Sequence, residues 1–217
     1  TNTISRAGLQ TQVDTFINAS TNKANTVARA TTASNIGGVS INYTNTAFPN
    51  TNLETLTVSY FDDYNFTDSS LPTIPTSVLG QDITDRTKGL LTANWTKTLG
   101  STSWAKNYTF YDKKGRVIYA HDKNHLGGYT SNESQLDFRG KIQVSNTTHK
   151  RIATSDELII SDKFYYDHAE RPLQHKQLIN QIFPLVTSSD TDLIFSDPVT
   201  SSRIDVATNS IKLRPGF

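Results

Sequence analysis

The run Tyr111-Asp112-Lys113-Lys114-Gly115-Arg116 sits between two strand-like stretches, Tyr108 to Phe110 and Val117-Ile118-Tyr119. Its chemistry admits few conformations. An aspartate can accept hydrogen bonds from the amides just ahead of it, two residues make a type I turn, and glycine takes the left-handed position at a bulge. The arginine then opens the return strand. The unit recurs: Leu136-Asp137-Phe138-Arg139-Gly140-Lys141 follows 25 residues later and keeps Asp, Gly and a basic residue. Tyr166-Asp167-His168-Ala169-Glu170-Arg171 follows a further 30 on and keeps Tyr, Asp and Arg. Imperfect copies at this spacing predict an array of antiparallel hairpins, each burying its face on its neighbours. In the third copy Glu170 stands where glycine is expected. A side chain in the left-handed region costs about 1 kcal/mol, so the sequence predicts a rearranged turn there.

The rest of the chain also favours strands. Thr, Ser and Asn make up 69 of the 217 residues, alongside 9 Tyr and 10 Phe, and Thr and aromatic residues suit a pleated, half-buried surface. Leu56, Val58 and Tyr60 alternate with Thr55, Thr57 and Ser59, and Val39, Ile41 and Tyr43 alternate likewise. One helix is expected near the start, capped by Ser5, with Leu9, Val13, Phe16 and Ile17 on one stripe, although Gly8 weakens it. Residues 18–36, small and polar and followed by Gly37-Gly38, read as a loop. Residues 62–86, with Asp62-Asp63, Asp68-Ser69-Ser70, Pro72 and Pro75, read as a long irregular connection, of the kind that is functional or covers a sheet edge. The expectation is a mainly β fold with one short N-terminal helix. Residues 1–52 lead into the hairpin strip, 53–180 form it, and 181–217 make a separate β tail.

Composition removes several classes. A net charge of +1 argues against a nucleic-acid binder, which would carry a basic face. With no Cys, a disulfide scaffold, a zinc ribbon and a thiol nucleophile are excluded. Apolar runs such as Leu158-Ile159-Ile160 and Ile182 to Val186 are far too short to span a bilayer. The chain shows no signal peptide and does not begin with Met, which predicts a processed piece of something larger.

Taken together, several segments resemble RHS/YD-repeat proteins, and more closely the RHS-like surface proteins of Bacteroidota. They are Leu56-Thr57-Val58-Ser59-Tyr60-Phe61-Asp62, Phe110 to Ile118, Asn124-His125-Leu126-Gly127-Gly128-Tyr129, Leu136 to Lys141 and Tyr166-Asp167-His168. The likeness covers about residues 5 to 180 and departs from the family at Ile204-Asp205-Val206 and at the closing Ile211-Lys212-Leu213-Arg214-Pro215-Gly216-Phe217, after an abrupt junction near Asn180 to Pro184. The resemblance implies a structural, non-catalytic segment of a large secreted or cell-surface polypeptide, outside the bacterial outer membrane, whose hairpins enclose or present another part of the same chain. It implies export by the type IX secretion system, with that translocon and its accessory outer-membrane proteins as partners, and work in interbacterial competition or adhesion. The residues it singles out are structural: Tyr111, Asp112, Gly115, Arg116, Asp137, Gly140, Lys141, Tyr166, Asp167 and Arg171.

Reactive constellations are weak by comparison. His121 and His125 have the spacing that places two imidazoles on one helical face for zinc, but Gly127-Gly128 follow and no third ligand is evident, so a structural turn is expected. His149, His168 and His175, beside charged neighbours, read as solvated surface. No Gly-x-Ser-x-Gly elbow supports a serine hydrolase, and Asp62-Asp63 would point to opposite faces of a strand. Asp197-Pro198 lacks the Gly of the self-cleaving aspartyl centre found in some RHS shells. No catalytic, cofactor or metal residue is assigned. Asn-x-Ser/Thr triplets begin at Asn18, Asn42, Asn65, Asn94, Asn107, Asn132 and Asn146, which this abundance of Asn and Thr accounts for. The alternative function is a carbohydrate-binding module of a surface adhesin, with Trp95, Trp104, Tyr108 and Tyr129 stacking on sugars.

Overall fold

The computed structural model describes residues 4–19, 26–68, 71 and 73–184, together with the backbone of two short strands, Leu193–Phe195 and Ile211–Leu213. It is mainly β, with one helix and antiparallel hairpins. Strands β3 (Thr57–Asp62), β6 (Thr87–Lys97), β7 (Trp104–Tyr111), β8 (Val117–Lys123), β9 (Gly127–Leu136), β10 (Ile142–Ile152), β11 (Leu158–Tyr166) and β12 (Pro172–Ile179) lie side by side in that order in one 8-stranded sheet. Every pairing in it is antiparallel, and from β6 onward each strand returns directly beside the one before. No helix among the described residues is long and apolar enough to cross a membrane.

Alternation gives the sheet two unlike faces. One cross-strand row runs Ala93, Tyr108, His121, Ser131, and the next runs Phe110, Tyr119, Glu133, Asn146, Ser161. Over β3, β6 and β7 this inner face is apolar: Val58, Tyr60, Ala93, Trp95, Tyr108 and Phe110 are buried together with Ile36 and Ile41. On the opposite face a row of Ser59, Asn94, Asn107, Asp122, Thr130 and His149 crosses the same strands. Its members bond laterally, Asn94 Nδ2 to Ser59 Oγ (2.9 Å), Asn107 Nδ2 to Asp122 Oδ1 (2.5 Å) and Thr130 Oγ1 with His149 Nδ1 (2.8 Å).

The apolar face is covered by the N-terminal third. The hairpin of β1 (Arg29–Ile36) and β2 (Val39–Tyr43) contributes Ile36 and Ile41, turning on Gly37 and Gly38 at φ 56° and 87°. Residues 29–36 are therefore a strand and not the loop expected from their Thr/Ala/Ser content; a Gly-Gly turn with positive φ at both positions supplies the partner. The connection after β3 lies over the sheet's face, with Tyr64 against Phe110 (ring centroids 4.9 Å) and Phe66 against Tyr108 (5.1 Å). Within it, β4 (Ser77–Val78) and β5 (Gln81–Asp82) form a small hairpin that bonds to β9 through Gln81, to Ser134 O (3.0 Å) and from Leu136 N (3.2 Å). Ser69, Ser70 and Pro72 lie outside the described residues. The helix α1 (Arg6–Ala19) starts with Ser5 Oγ accepting from Gly8 N at 3.1 Å, and Phe16 packs on Phe48 at 5.6 Å.

Across β9 to β11 the inner face turns polar, and Glu133, Asn146 and Ser161 on it satisfy one another. Ser161 Oγ donates to Asn146 Oδ1 (2.6 Å), Asn146 Nδ2 donates to Glu133 Oε2 (3.1 Å), and Phe183 N donates to Ser161 Oγ (3.3 Å). A connected network of this kind avoids the cost of an unpaired buried polar group. Phe183 reaches it because the chain reverses at Asn180, φ 56°, whose amide bonds Ile159 O at 2.7 Å. Phe183 is itself buried against the sheet. Beyond it, β13 (Leu193–Phe195) and β14 (Ile211–Leu213) pair in parallel. Asp197-Pro198, Ile204-Asp205-Val206 and Pro215-Gly216-Phe217 lie outside the described residues.

Candidate functional site

The turns named in the sequence stand in a row at one end of the sheet, joining β7 to β8, β9 to β10 and β11 to β12. In the first, Asp112 N donates to Arg116 O (2.9 Å) and Gly115 N to Asp112 O (2.9 Å), with Gly115 at φ 72°. Asp112 Oδ1 accepts from Lys114 N and Arg116 N at 2.8 and 2.9 Å, and Oδ2 from Arg116 Nε at 2.7 Å. In the second, Asp137 Oδ1 accepts from Arg139 N and Lys141 N, both at 2.8 Å, and Gly140 sits at φ 97°. In the third, Asp167 Oδ1 accepts from Ala169 N (2.9 Å) and Arg171 N (2.8 Å), and Oδ2 from Arg171 Nε (2.7 Å). This turn is not rearranged: Glu170 takes φ 66° and its amide still donates to Asp167 O at 2.9 Å. The reason lies in the neighbouring turn, since Arg139 and Lys141 both pair with the Glu170 carboxylate.

That contact belongs to a wider pattern in which each turn grips the next. Arg116 Nη1 donates to Asp137 O (2.8 Å), and Lys114 Nζ donates to Phe138 O (2.9 Å) while lying 3.6 Å from the centre of the Phe138 ring. Lys141 Nζ lies 4.6 Å from the centre of the Tyr166 ring. The tyrosines fasten the turns to the strand before: Tyr111 OH donates to Leu91 O (2.6 Å) and Tyr166 OH to Ile142 O (3.1 Å). A further copy, at the other end of the sheet, forms the structural turn expected at His125 and Gly127-Gly128, with asparagine in place of aspartate. Asn124 Oδ1 accepts from Leu126 N and Gly128 N, both at 2.9 Å, Gly127 sits at φ 82°, and Asn124 Nδ2 donates to Arg151 O (2.9 Å). Its signal was the same three-residue offset from Asx to Gly.

The turn carboxylates are shifted together. Burial alone would raise Asp112, but the hydrogen bonds from Arg116 and Lys114 outweigh it and hold the carboxyl below its ordinary value. The backbone bond from Lys141 lowers Asp137, and the backbone and side-chain bonds from Arg171 lower Asp167. A carboxylate depressed in the folded state stabilises the fold above the unfolded-state pKa, here 3.8, and that contribution is lost as pH falls through the lower native values. The share of the urea midpoint that these carboxylates supply should therefore hold down to about pH 5 and fall below pH 4, whereas buried His121, with its lowered pKa, adds a separate decline that begins as pH drops below its ordinary value of 6.5. Asp112→Ala should cost about 2 kcal/mol at pH 7 by removing charge-assisted bonds to two amides and a guanidinium, and should flatten the acid limb. An acid limb unchanged in the variant would refute this assignment.

The other candidates fall elsewhere. His121 is buried and stacks on Tyr129 at 5.1 Å, and its pKa is lowered by that burial, whereas His125 lies in the Asn124 turn. His175 pairs with Asp162 at 2.7 Å, and His149 and His168 are exposed. No group of three or more His, Asp or Glu arranged for a metal occurs among the described residues. Asp62 Oδ1 accepts from Gly89 N (2.6 Å), while Asp63 pairs with Arg29. Of the aromatics offered for stacking on sugars, Trp95 and Tyr108 are 1% and 0% exposed and cannot reach a ligand; Trp104 and Tyr129 are half-buried. No family model matches the chain, and neither a curated protein nor a solved structure does.

Proposed function

We propose that the chain is a non-catalytic structural segment of a large secreted or cell-surface protein of the RHS/YD-repeat type, a strip of hairpins that encloses or presents another part of the same polypeptide. The observation that carries this reading is the stapling of turn to turn: Arg116 and Lys114 hold the second turn, and Arg139 and Lys141 hold the third. Such contacts fix each hairpin to its neighbour and do no chemistry. Arg171 repeats the place of Arg116, with its Nε on Asp167, yet its side chain is 75% exposed and no following turn among the described residues supplies the carbonyls that Arg116 finds. A further hairpin beside β12 would supply them. Export by the type IX system and a role in competition or adhesion complete the proposal, on the sequence resemblance alone.

The test is an antibody against this chain, used on intact cells of the source organism and on their fractions. The expected result is a protease-accessible surface species far heavier than the 24.1 kDa of this chain. A 24.1 kDa species confined to the soluble interior would overturn the reading.

A further inference from the structure

A cleft of about 490 Å³ opens on the inner face of the second half of the sheet, where Phe183 and Pro184 form one side and the β4–β5 turn residue Leu79 another. Its floor contains a cross-strand row, Gln135, Val144 and Lys163, which continues to Lys176 on β12. Lys163 and Lys176 are directly opposed. Like charges in that position repel, and neither has a carboxylate partner among the described residues. Both ammonium groups lie against the same ring, 5.6 and 5.5 Å from the centre of Tyr165.

The nearby acids do not relieve the pair. Asp137 and Asp167 also line the cleft, but their oxygens accept the amides of their own turns, and Glu170 is taken by Arg139 and Lys141. Burial first, and Lys176 second, push the Lys163 ammonium below its ordinary pKa, as expected for a half-buried cation lacking a counter-charge. We propose that Lys163 and Lys176, together with the Tyr165 ring and the amides of Gln135 and Gln143, form a binding subsite for an oxyanion carried on a sugar ring, a uronate carboxylate or a sulfate ester.

An oxyanion bridging the two ammonium groups turns a repulsion into two charge-assisted hydrogen bonds. The choice of a sugar over an extended peptide follows from the floor. Strands β9, β10 and β11 are paired on both edges, so they offer no backbone ladder to a peptide, and recognition falls to side chains. Gln135 spends its Nε2 on Leu79 O (3.1 Å) and keeps its carbonyl oxygen for a hydroxyl; the side chain of Gln143 makes no hydrogen bond among the described residues, and it lines the cleft. Amides and tyrosine rings around a cleft of this size suit a polar ring ligand. The inference is independent of the strip reading, because a face of the sheet can bind a glycan whether or not another hairpin follows β12.

Isothermal titration of the intact chain at low salt tests it, with hexagalacturonate as the uronate, sulfated maltohexaose as the sulfate ester and neutral maltohexaose as the control. At least one anionic oligosaccharide should bind saturably at one site and weaken as salt is raised, and the neutral one should not bind; which of the two anionic ligands binds identifies the oxyanion. Lys163→Gln and Lys176→Gln should each weaken it at least tenfold, and Lys163→Arg should retain it. Removing a like-charge repulsion should leave the urea midpoints of both Gln variants at or above the parent's, so lost binding cannot be a folding defect. The proposal fails if neither anionic ligand binds saturably, if the neutral one binds as well, or if the Lys163→Gln/Lys176→Gln double variant binds like the parent.

Discussion

Trp95→Ala should cost about 3–5 kcal/mol of unfolding free energy, the range for deleting a large aromatic from a packed core, and should lower the urea midpoint without any ligand present. Trp95 stands on β6 opposite Val58, meets the Tyr60 ring at 5.1 Å and Tyr108 at 6.4 Å, and carries the Lys106 ammonium 4.3 Å above its face. Lys106 is held there by Asp68 at 2.9 Å, and Asp68 also accepts the Tyr108 hydroxyl. The cavity would therefore open beneath a cation and beside a buried carboxylate, which limits collapse and places the cost toward the upper end. Trp95→Phe, which keeps most of the ring volume, should cost less than half as much. Equilibrium unfolding of both variants decides the matter: a stable Trp95→Ala protein, within 1 kcal/mol of the parent, would mean that this face is a binding surface and the core lies elsewhere.

The same residue shows why the sequence reads well in some places and poorly in others. Alternation is visible in Asn94-Trp95-Thr96 and Asn107-Tyr108-Thr109, and the sheet makes its use plain: the aromatic goes inward while Asn and Thr face outward. Several triplets that resemble glycosylation acceptors are thus a by-product of strand geometry. What alternation cannot say is which inward aromatics receive a cover. That depends on Tyr64, Phe66 and the β1–β2 hairpin arriving over the face, and β1 itself, Arg-Ala-Thr-Thr-Ala-Ser-Asn-Ile, buries only Ile36 fully and so shows no apolar period.

Turns are legible where their chemistry is local. Asp112 with Gly115 and Asp137 with Gly140 carry their hydrogen-bond acceptor and their left-handed residue within one short span. The third turn is kept by Arg139 and Lys141, 31 and 29 residues before Glu170, and nothing within Asp167 to Arg171 announces that. The inward polar row Glu133–Asn146–Ser161 is equally opaque, since its partners come from separate strands and its lid, Phe183, comes from beyond the sheet. The opposition of Lys163 and Lys176 likewise appears only with the strand register.

Gly127 and Gly128 look interchangeable in sequence, yet Gly128→Ala should cost about 3 kcal/mol or more and Gly127→Ala only about 1–2 kcal/mol. Gly127 is the left-handed residue of the Asn124 turn, at φ 82°, and a Cβ there would lie 3.4 Å from Ala153 Cβ, an ordinary contact. The penalty at that position is backbone strain alone. Gly128 has no such φ, but a Cβ on it would lie 2.2 Å from Lys150 O and 2.3 Å from Arg151 O. Those atoms are main chain of β10, so no rotamer change relieves the clash; β9 and β10 must separate. Separation also pulls Arg151 O away from Asn124 Nδ2, and with it the staple that joins this turn to the next strand at the sheet's second end. Comparing the two variants by urea denaturation, with amide exchange read at Lys150 and Arg151, separates the two causes. Gly128→Ala should lose protection on β10 and Gly127→Ala should keep it. Equal costs, or a larger cost at Gly127, would mean that the strands are not this close at Gly128.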